Sequence, residues 1–351
     1  MVSRLEEHPV VIGIDSFGEI TLGADGAPLS QPENIRALVE EGVLAEASGL
    51  DFFGLGEHHT EEIPLPAPDL VLASVAARTS RIHLGSAVTV LSSDDPVRVF
   101  QRYASLDALS SGRAEVILGR GSSKESFPLF GFDLADYDIL FEEKLELFAR
   151  LRAEQPVTWS GTTRAELRGL QVFPRTDGGA LPTWIGVGGN PASVVRAAKY
   201  GFSLMLALIG GNPARFARLS ELFRRATEEF GFAPLPIGVH SPGHVAATDE
   251  QAKEEYWPTY ETFMLEARHE RGFPEITRAY FEHEVEAGSL YVGSPETVAR
   301  RIAKTMTALG ANRFDLKYGM GPMPHDQLMD NIRHFGTEVA PRIREHLAAQ
   351  S

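Results

Sequence analysis

Three clusters in this sequence have residue types and spacings suited to chemistry. The first is Glu57-His58-His59. An imidazole titrates near neutrality, so one histidine can serve as a general acid or base. Adjacent histidines on extended chain point to opposite sides, which works against both binding one metal ion. Two hydrogen-bonded loop histidines would look the same. The second cluster is Arg120-Gly121-Ser122-Ser123-Lys124. Its cations can hold an anion or neutralise an electron-rich ring, and Gly121 lets backbone approach closely. Arg120 could equally form only a salt bridge, to Glu57 or Asp15. The third is Gly188-Gly189-Asn190-Pro191-Ala192-Ser193. Two glycines at a helix start expose backbone N–H groups to a phosphate-sized anion, and Ser193 adds a hydroxyl. Pro191 in the first helical turn loses no donor. The alternative is a tight turn with Asn190 as N-cap. Gly210-Gly211-Asn212-Pro213 repeats the pattern one unit later. The extra serine favours the first copy as the phosphate seat.

Each cluster needs a strand before it and a scaffold around it. Apolar runs occur at Val10–Ile14, Phe52–Gly56, His83–Leu91, Ala114–Gly119, Thr183–Val187, Ser203–Leu208, Pro236–His240 and Arg313–Lys317. They are continuous rather than alternating, as in strands of a parallel sheet covered on both faces. Helical patterns follow them, for instance around Ile35, Leu38 and Val39 after Pro32, and around Val97, Phe100 and Tyr103 after Pro96. Eight strand–helix units predict an α/β fold, a (β/α)8 TIM barrel whose chemistry sits on the loops after the strands. The runner-up is an open doubly wound sheet, but no G-x-G-x-x-G joins a first strand to its helix. Pro156–Trp159 and Leu167–Phe173 read as a hairpin outside the repeat. Gln251–Gly288 is too long for one crossover. It reads as a lid insertion, at about 251–290, between the seventh strand and its helix. The whole chain, 1–351, reads as one domain.

Composition removes several functions. With 33 Lys and Arg against 48 Asp and Glu, the net charge is −15. An acidic surface argues against nucleic acid or an anionic membrane as partner, though not against an anionic cofactor held locally. There is no cysteine, hence no disulfide, thiolate nucleophile or thiolate-ligated metal. The first residues carry charges where a signal peptide needs an apolar core. No apolar run approaches the ~20 residues of a membrane span. The sequence therefore reads as a soluble, cytoplasmic protein with no metal site. No G-x-S-x-G supports an esterase. Asp94-Asp95, Glu142-Glu143 and Glu254-Glu255 read as solvated faces or caps.

From Val10 to about Arg344 the chain resembles the bacterial luciferase-like, flavin-dependent monooxygenases. The resemblance rests on Gly54-Leu55-Gly56-Glu57-His58-His59, Leu84-Gly85-Ser86-Ala87-Val88, Asp95-Pro96-Val97-Arg98, Ser111-Gly112-Arg113, Gly119-Arg120-Gly121 and Gly188-Gly189-Asn190-Pro191. It implies a barrel that binds FMN at the strand C-termini, usually as a homodimer. Reduced flavin would come from a separate reductase and activate O2 to oxidise a small organic substrate. By motif, His58 resembles the catalytic histidine and Arg120, with Gly121, the arginine beside the flavin. Gly188, Gly189, Asn190 and Ser193 fall where the phosphate is held. A cis peptide between Ala87 and Val88, against the flavin, is implied as well. Two departures stand out. Ser126 occupies a position that is acidic in the light-emitting members, and the family's reactive thiol is missing. A deazaflavin coenzyme that moves hydride without O2 would suit the same barrel. So would a non-catalytic flavin-binding protein, although Glu57, His58 and Arg120 beside the flavin loops favour an enzyme.

Overall fold

Apolar runs buried on both faces become the staves of a barrel, and amphipathic segments wrap it. A computed structural model describes residues 8–121, 124–271 and 276–350, apart from the side chains of 266–271. The strands are β1 (Val11–Ser16), β2 (Phe52–Leu55), β3 (His83–Ser86), β4 (Thr89–Val90), β5 (Ala114–Gly119) and β6 (Val157–Trp159), then β7 (Leu167–Leu170), β8 (Thr183–Val187), β9 (Ser203–Ala207), β10 (Ile237–Val245), β11 (Tyr291–Gly293) and β12 (Arg313–Lys317). The helices are α1 (Gln31–Ala47), α2 (Pro68–Ala76), α3 (Pro96–Ser110), α4 (Ser126–Phe130), α5 (Tyr137–Arg152) and α6 (Pro191–Lys199), then α7 (Ala217–Glu229), α8 (Asp249–Arg271), α9 (Arg278–Glu286), α10 (Pro295–Leu309), α11 (His325–His334) and α12 (Ala340–Ala348).

Eight parallel staves close the expected TIM barrel in the order β1, β2, β3 with β4, β5, β8, β9, β10, β12 and back to β1. Closure is set by register: Ile12 lies opposite Phe314, and Val239 lies opposite both Phe314 and Leu206. Helix starts follow the sequence. Asp95 accepts from Val97 N at 2.8 Å to begin α3, and Asn190 accepts from Ala192 N at 2.9 Å to begin α6.

Inside the barrel, Phe52, Ile117, Trp184 and Met205 form a small apolar cluster apart from the main core. The Arg313 guanidinium, 1% exposed, lies 3.8 Å from the Phe52 ring centroid and 4.7 Å from that of Trp184. A cation there needs partners. Arg313 Nη1 donates to Glu115 at 2.6 Å, and Nε donates to Asp315 at 2.9 Å. This plug forms the floor below the site.

The structure refines several boundaries. The expected third strand, His83–Leu91, is two strands, because the chain turns at Ala87–Val88, whose peptide is cis as expected. β10 runs to Val245, beyond the expected end at His240, because β11 pairs with its last residues. β6 and β7 form the expected hairpin off the barrel. The insertion sits between β10 and α10 as expected, and consists of α8, α9 and β11. Its residues 272–275 lie outside the described ones. Among the described residues no helix is long and apolar enough to cross a membrane.

Candidate active site

The C-terminal ends of the staves open on a cavity of about 390 Å³. β1 supplies Asp15 and is followed by Phe17, β2 leads to Glu57-His58-His59, and the β3–β4 break supplies Ala87 and Val88. Arg120 and Gly121 follow β5, Gly188, Asn190 and Ser193 follow β8, and β10 and β12 contribute His240 and Asp315. Residues read from the sequence as far apart as His58 and Ser193 thus share one chamber. Ser122 and Ser123, grouped in the sequence with Arg120, lie outside the described residues.

The three residues after β2 divide their work. Glu57 accepts from Val90 N through Oε2 at 2.9 Å and pairs with His59 Nε2 through Oε1 at 3.0 Å. Its backbone N–H donates to Val88 O at 3.0 Å, so Glu57 clasps the β3–β4 break from two sides. His59, turned toward Glu57 and the edge of Phe130, is a packing residue. His58 is the free member. It packs 5.0 Å from the Phe17 ring, and its Nδ1 lies 3.5 Å from Glu125 Oε1. That contact holds the Glu125 carboxyl below its usual range, against the opposing effect of burial. Among the described residues no group of three His, Asp or Glu can hold a metal ion.

Ser126 stands at the position that is acidic in the light-emitting members of the family the chain resembles. Ser126 is buried with its hydroxyl unpartnered among the described residues, and Glu125, one residue earlier, brings a carboxylate beside His58. Arg120 pairs with neither Glu57 nor Asp15. Its Nη1 donates to Asp138 at 2.8 Å, and its guanidinium lies 5.0 Å from the Tyr137 centroid. Asp138 is 82% exposed, so the pair is weak and Arg120 can turn to an anion at the cavity mouth. Tyr137 donates to Gly121 O at 2.7 Å and fixes the turn, where Gly121 has φ +81°.

The two glycine turns differ in what occupies their N–H groups. After β8, Gly188 and Gly189 have no hydrogen-bond partner for their N–H groups among the described residues. A Cβ at either glycine would meet nothing within 4 Å, so the space over the turn is open. Ser193 Oγ accepts from Arg196 Nη1 at 3.1 Å, which leaves its O–H free to donate. Helix α6 starts here with its N-terminal dipole. After β9, Gly210 N donates to Ser289 Oγ at 2.6 Å and Gly211 N donates to Glu284 Oε2 at 2.8 Å. The second turn is filled by a carboxylate of the chain itself, and the first is the open one. The donors present in the first turn fit a flavin phosphate.

Phe17, Glu125, Tyr137, Arg196, His240 and Asp315 were not singled out from sequence. A polar residue inside an otherwise apolar barrel stave was the available signal for His240 and Asp315. Arg196, one helical turn after Ser193, was the signal at the phosphate end.

The luciferase-like monooxygenase family model matches residues 16–313. Limonene 1,2-monooxygenase of Rhodococcus erythropolis is 30% identical over 94% of this chain and 90% of that protein. Among solved structures, monooxygenase RslO1 from Streptomyces bottropensis superposes with a TM-score of 0.81 at 25% identity, covering 94% of this chain and 99% of that one. The oxygenating constituent of 3,6-diketocamphane monooxygenase from Pseudomonas putida, solved with FMN, has a TM-score of 0.77 at 19% identity, covering 96% and 99%, a likeness of fold.

Proposed function

The chain belongs to the luciferase-like monooxygenase family of flavin-dependent oxidoreductases, and from that premise we propose that it is an FMN-dependent monooxygenase acting on a small, largely apolar substrate. The observation that carries this reading is the pairing, in one cavity, of Gly188 and Ser193 from the open turn after β8 with the His58–Glu125 pair. In this reading the cradle and Arg120 bind the phosphate, and Ala87 and Val88 line the ring's place. The bound flavin supplies the activation of O2. Protein side chains do the rest. Apolar walls from Val88, Ile117 and Met205 exclude water, and His58 holds or delivers a proton at Nδ1 or Nε2.

Reduced flavin would be supplied by a separate reductase in the cytoplasm, and the working unit would be a homodimer. Sedimentation of the purified protein tests the dimer.

Purification and identification of the bound chromophore by absorbance and mass tests the cofactor. FMN, followed by O2 uptake when reduced FMN and a substrate panel are added, is the expected result. A deazaflavin coenzyme with hydride transfer and no O2 uptake would overturn it. So would bound flavin without turnover of any substrate.

A further inference from the structure

The cavity holds a second imidazole that the reading above does not use. His240 lies on β10 directly opposite Asp315 of β12. Its Nδ1 is 2.7 Å from Oδ2 of Asp15 on β1. Asp15 is 1% exposed, and its other oxygen is buried without a partner, so His240 is its one side-chain partner among the described residues. A carboxylate accepts, so Nδ1 carries the hydrogen and Nε2 is left to exchange a proton. Nε2 has no protein partner among the described residues, and His240 lines the cavity. His244, four residues on, shows the structural alternative. Its Nε2 is tied to Glu255 at 2.8 Å, and its Nδ1 is sealed inside the protein.

The cations around the pair are engaged elsewhere, and the further carboxyl beside it in the cavity floor is Asp315, whose charged form Asp15 disfavours. Arg313 is committed to Asp315 and Glu115. Lys317 is committed to Glu19 and lies over the Phe17 ring. From β9, the neighbouring residues Ala207 and Met205 carry no charge. Phe17 touches both histidines, at 5.0 Å from His58 and 5.9 Å, nearly parallel, from His240.

We propose that His240, oriented by Asp15, is a second acid–base residue of this cavity, and that the substrate carries a hydroxyl or enol oxygen against its Nε2. The inference rests on the reading of this cavity as the substrate chamber. Neutral Nε2 takes the O–H proton, giving an imidazolium that faces the Asp15 carboxylate and an oxyanion on the substrate. The reverse transfer returns the proton, and no electrons change hands. An oxygen that gains and loses a proton uses both states of Nε2. The apolar walls accept the rest of such a molecule.

The test uses full-length protein loaded with oxidised FMN and labelled with 15N-histidine, with H240N to assign the signal. The expected NMR result is a neutral form with hydrogen on Nδ1 and an Nε2 that titrates. 4-Nitrophenol, whose phenolate is coloured, is the ligand probe. Wild type should bind it as phenolate at a pH where the free probe is protonated. H240N should bind it without the phenolate band, D15N should weaken the band, and H58N should keep it. An Nε2–H neutral tautomer, a non-titrating ring, or an undiminished band in H240N would overturn the acid–base role. Failure of wild type to bind 4-nitrophenol would overturn the substrate class. FMN affinity is measured alongside. Its absence in wild type would count against the flavin reading and leave the His240 titration to be judged on its own.

Discussion

At the residue scale, Glu57, His58 and His59 show how far identity and spacing determine role. One carboxylate spans the β3–β4 break and His59, and His58, which lines the cavity with both, is the one that packs on Phe17 and reaches Glu125. Replacing His58 by Ala should leave FMN affinity nearly unchanged and slow turnover by roughly 10²–10⁴, the range for losing a general acid or base. Steady-state kinetics beside a flavin titration checks it. Equal turnover would reduce His58 to a wall residue. Gly189 is a second test. Its φ is +132°, and a side chain there would stand in the open cradle rather than strike protein. Gly189→Val should therefore weaken FMN binding through both backbone strain and lost space, read by fluorescence titration against a wild-type control. The sequence displayed both residues because their neighbours form local patterns. It hid Glu125 and the His240–Asp15 pair for a physical reason. The latter's partners are 225 residues apart, and only barrel closure brings them together.

At the element scale, two turns with the same Gly-Gly-Asn-Pro sequence have different fates because of what packs on them. Glu284 of α9 reaches across and accepts from Gly211 N, while Ser289 takes Gly210 N. Glu284 thus fastens the insertion to the barrel with a buried carboxylate, 4% exposed. Glu284→Ala leaves the half-buried Gly211 N–H without its carboxylate and should cost about 1 kcal/mol. Urea denaturation should show this, with no loss of FMN affinity at the Gly188 turn. Sequence could propose both turns but not choose, since the choice depends on an element more than 70 residues later. The floor formed by β5 and β12 makes a pH prediction. Burial pushes Glu115 up, but Arg313 and His83 bring it down to about 2. Burial dominates at Asp315, which rises to about 6 despite Arg313. Glu115 therefore contributes stability above its ordinary 4.5 that is lost as pH falls toward 2. Asp315 has the opposite sign. The folded state holds its proton more tightly, so its contribution is full below its ordinary 3.8 and is lost as pH rises through 6. Asp315→Asn should flatten the stability profile between about pH 4 and 6 relative to wild type and leave the steeper acid limb. Thermal melts across pH read the difference.

At the scale of the whole molecule, the barrel was legible because eight buried apolar runs separated by helical patterns admit few other closures. The electrostatic layout was not. A net charge of −15 describes the far field and says nothing of where the cations point. In the structure Arg196, on the helix that follows the cradle, is engaged with Glu142 and Ser193, and Arg120 is held only by a weak pair with the exposed Asp138, so neither projects far-field attraction enough to offset the net charge. An approaching FMN phosphate therefore meets repulsion from the molecule as a whole before it reaches the open N–H groups of Gly188 and Gly189. Repulsion at a distance is screened by salt, whereas attraction at contact is screened much less. Between about 0.01 M and 0.15 M salt the screening length shrinks from about 30 Å to about 8 Å. The association rate constant of FMN should rise over that range, and the dissociation rate should change little. Stopped-flow quenching of flavin fluorescence measures both. An association rate that falls with salt would mean that local attraction from Arg120 and Arg196 governs encounter. Arg120→Gln would then be expected to remove the salt dependence.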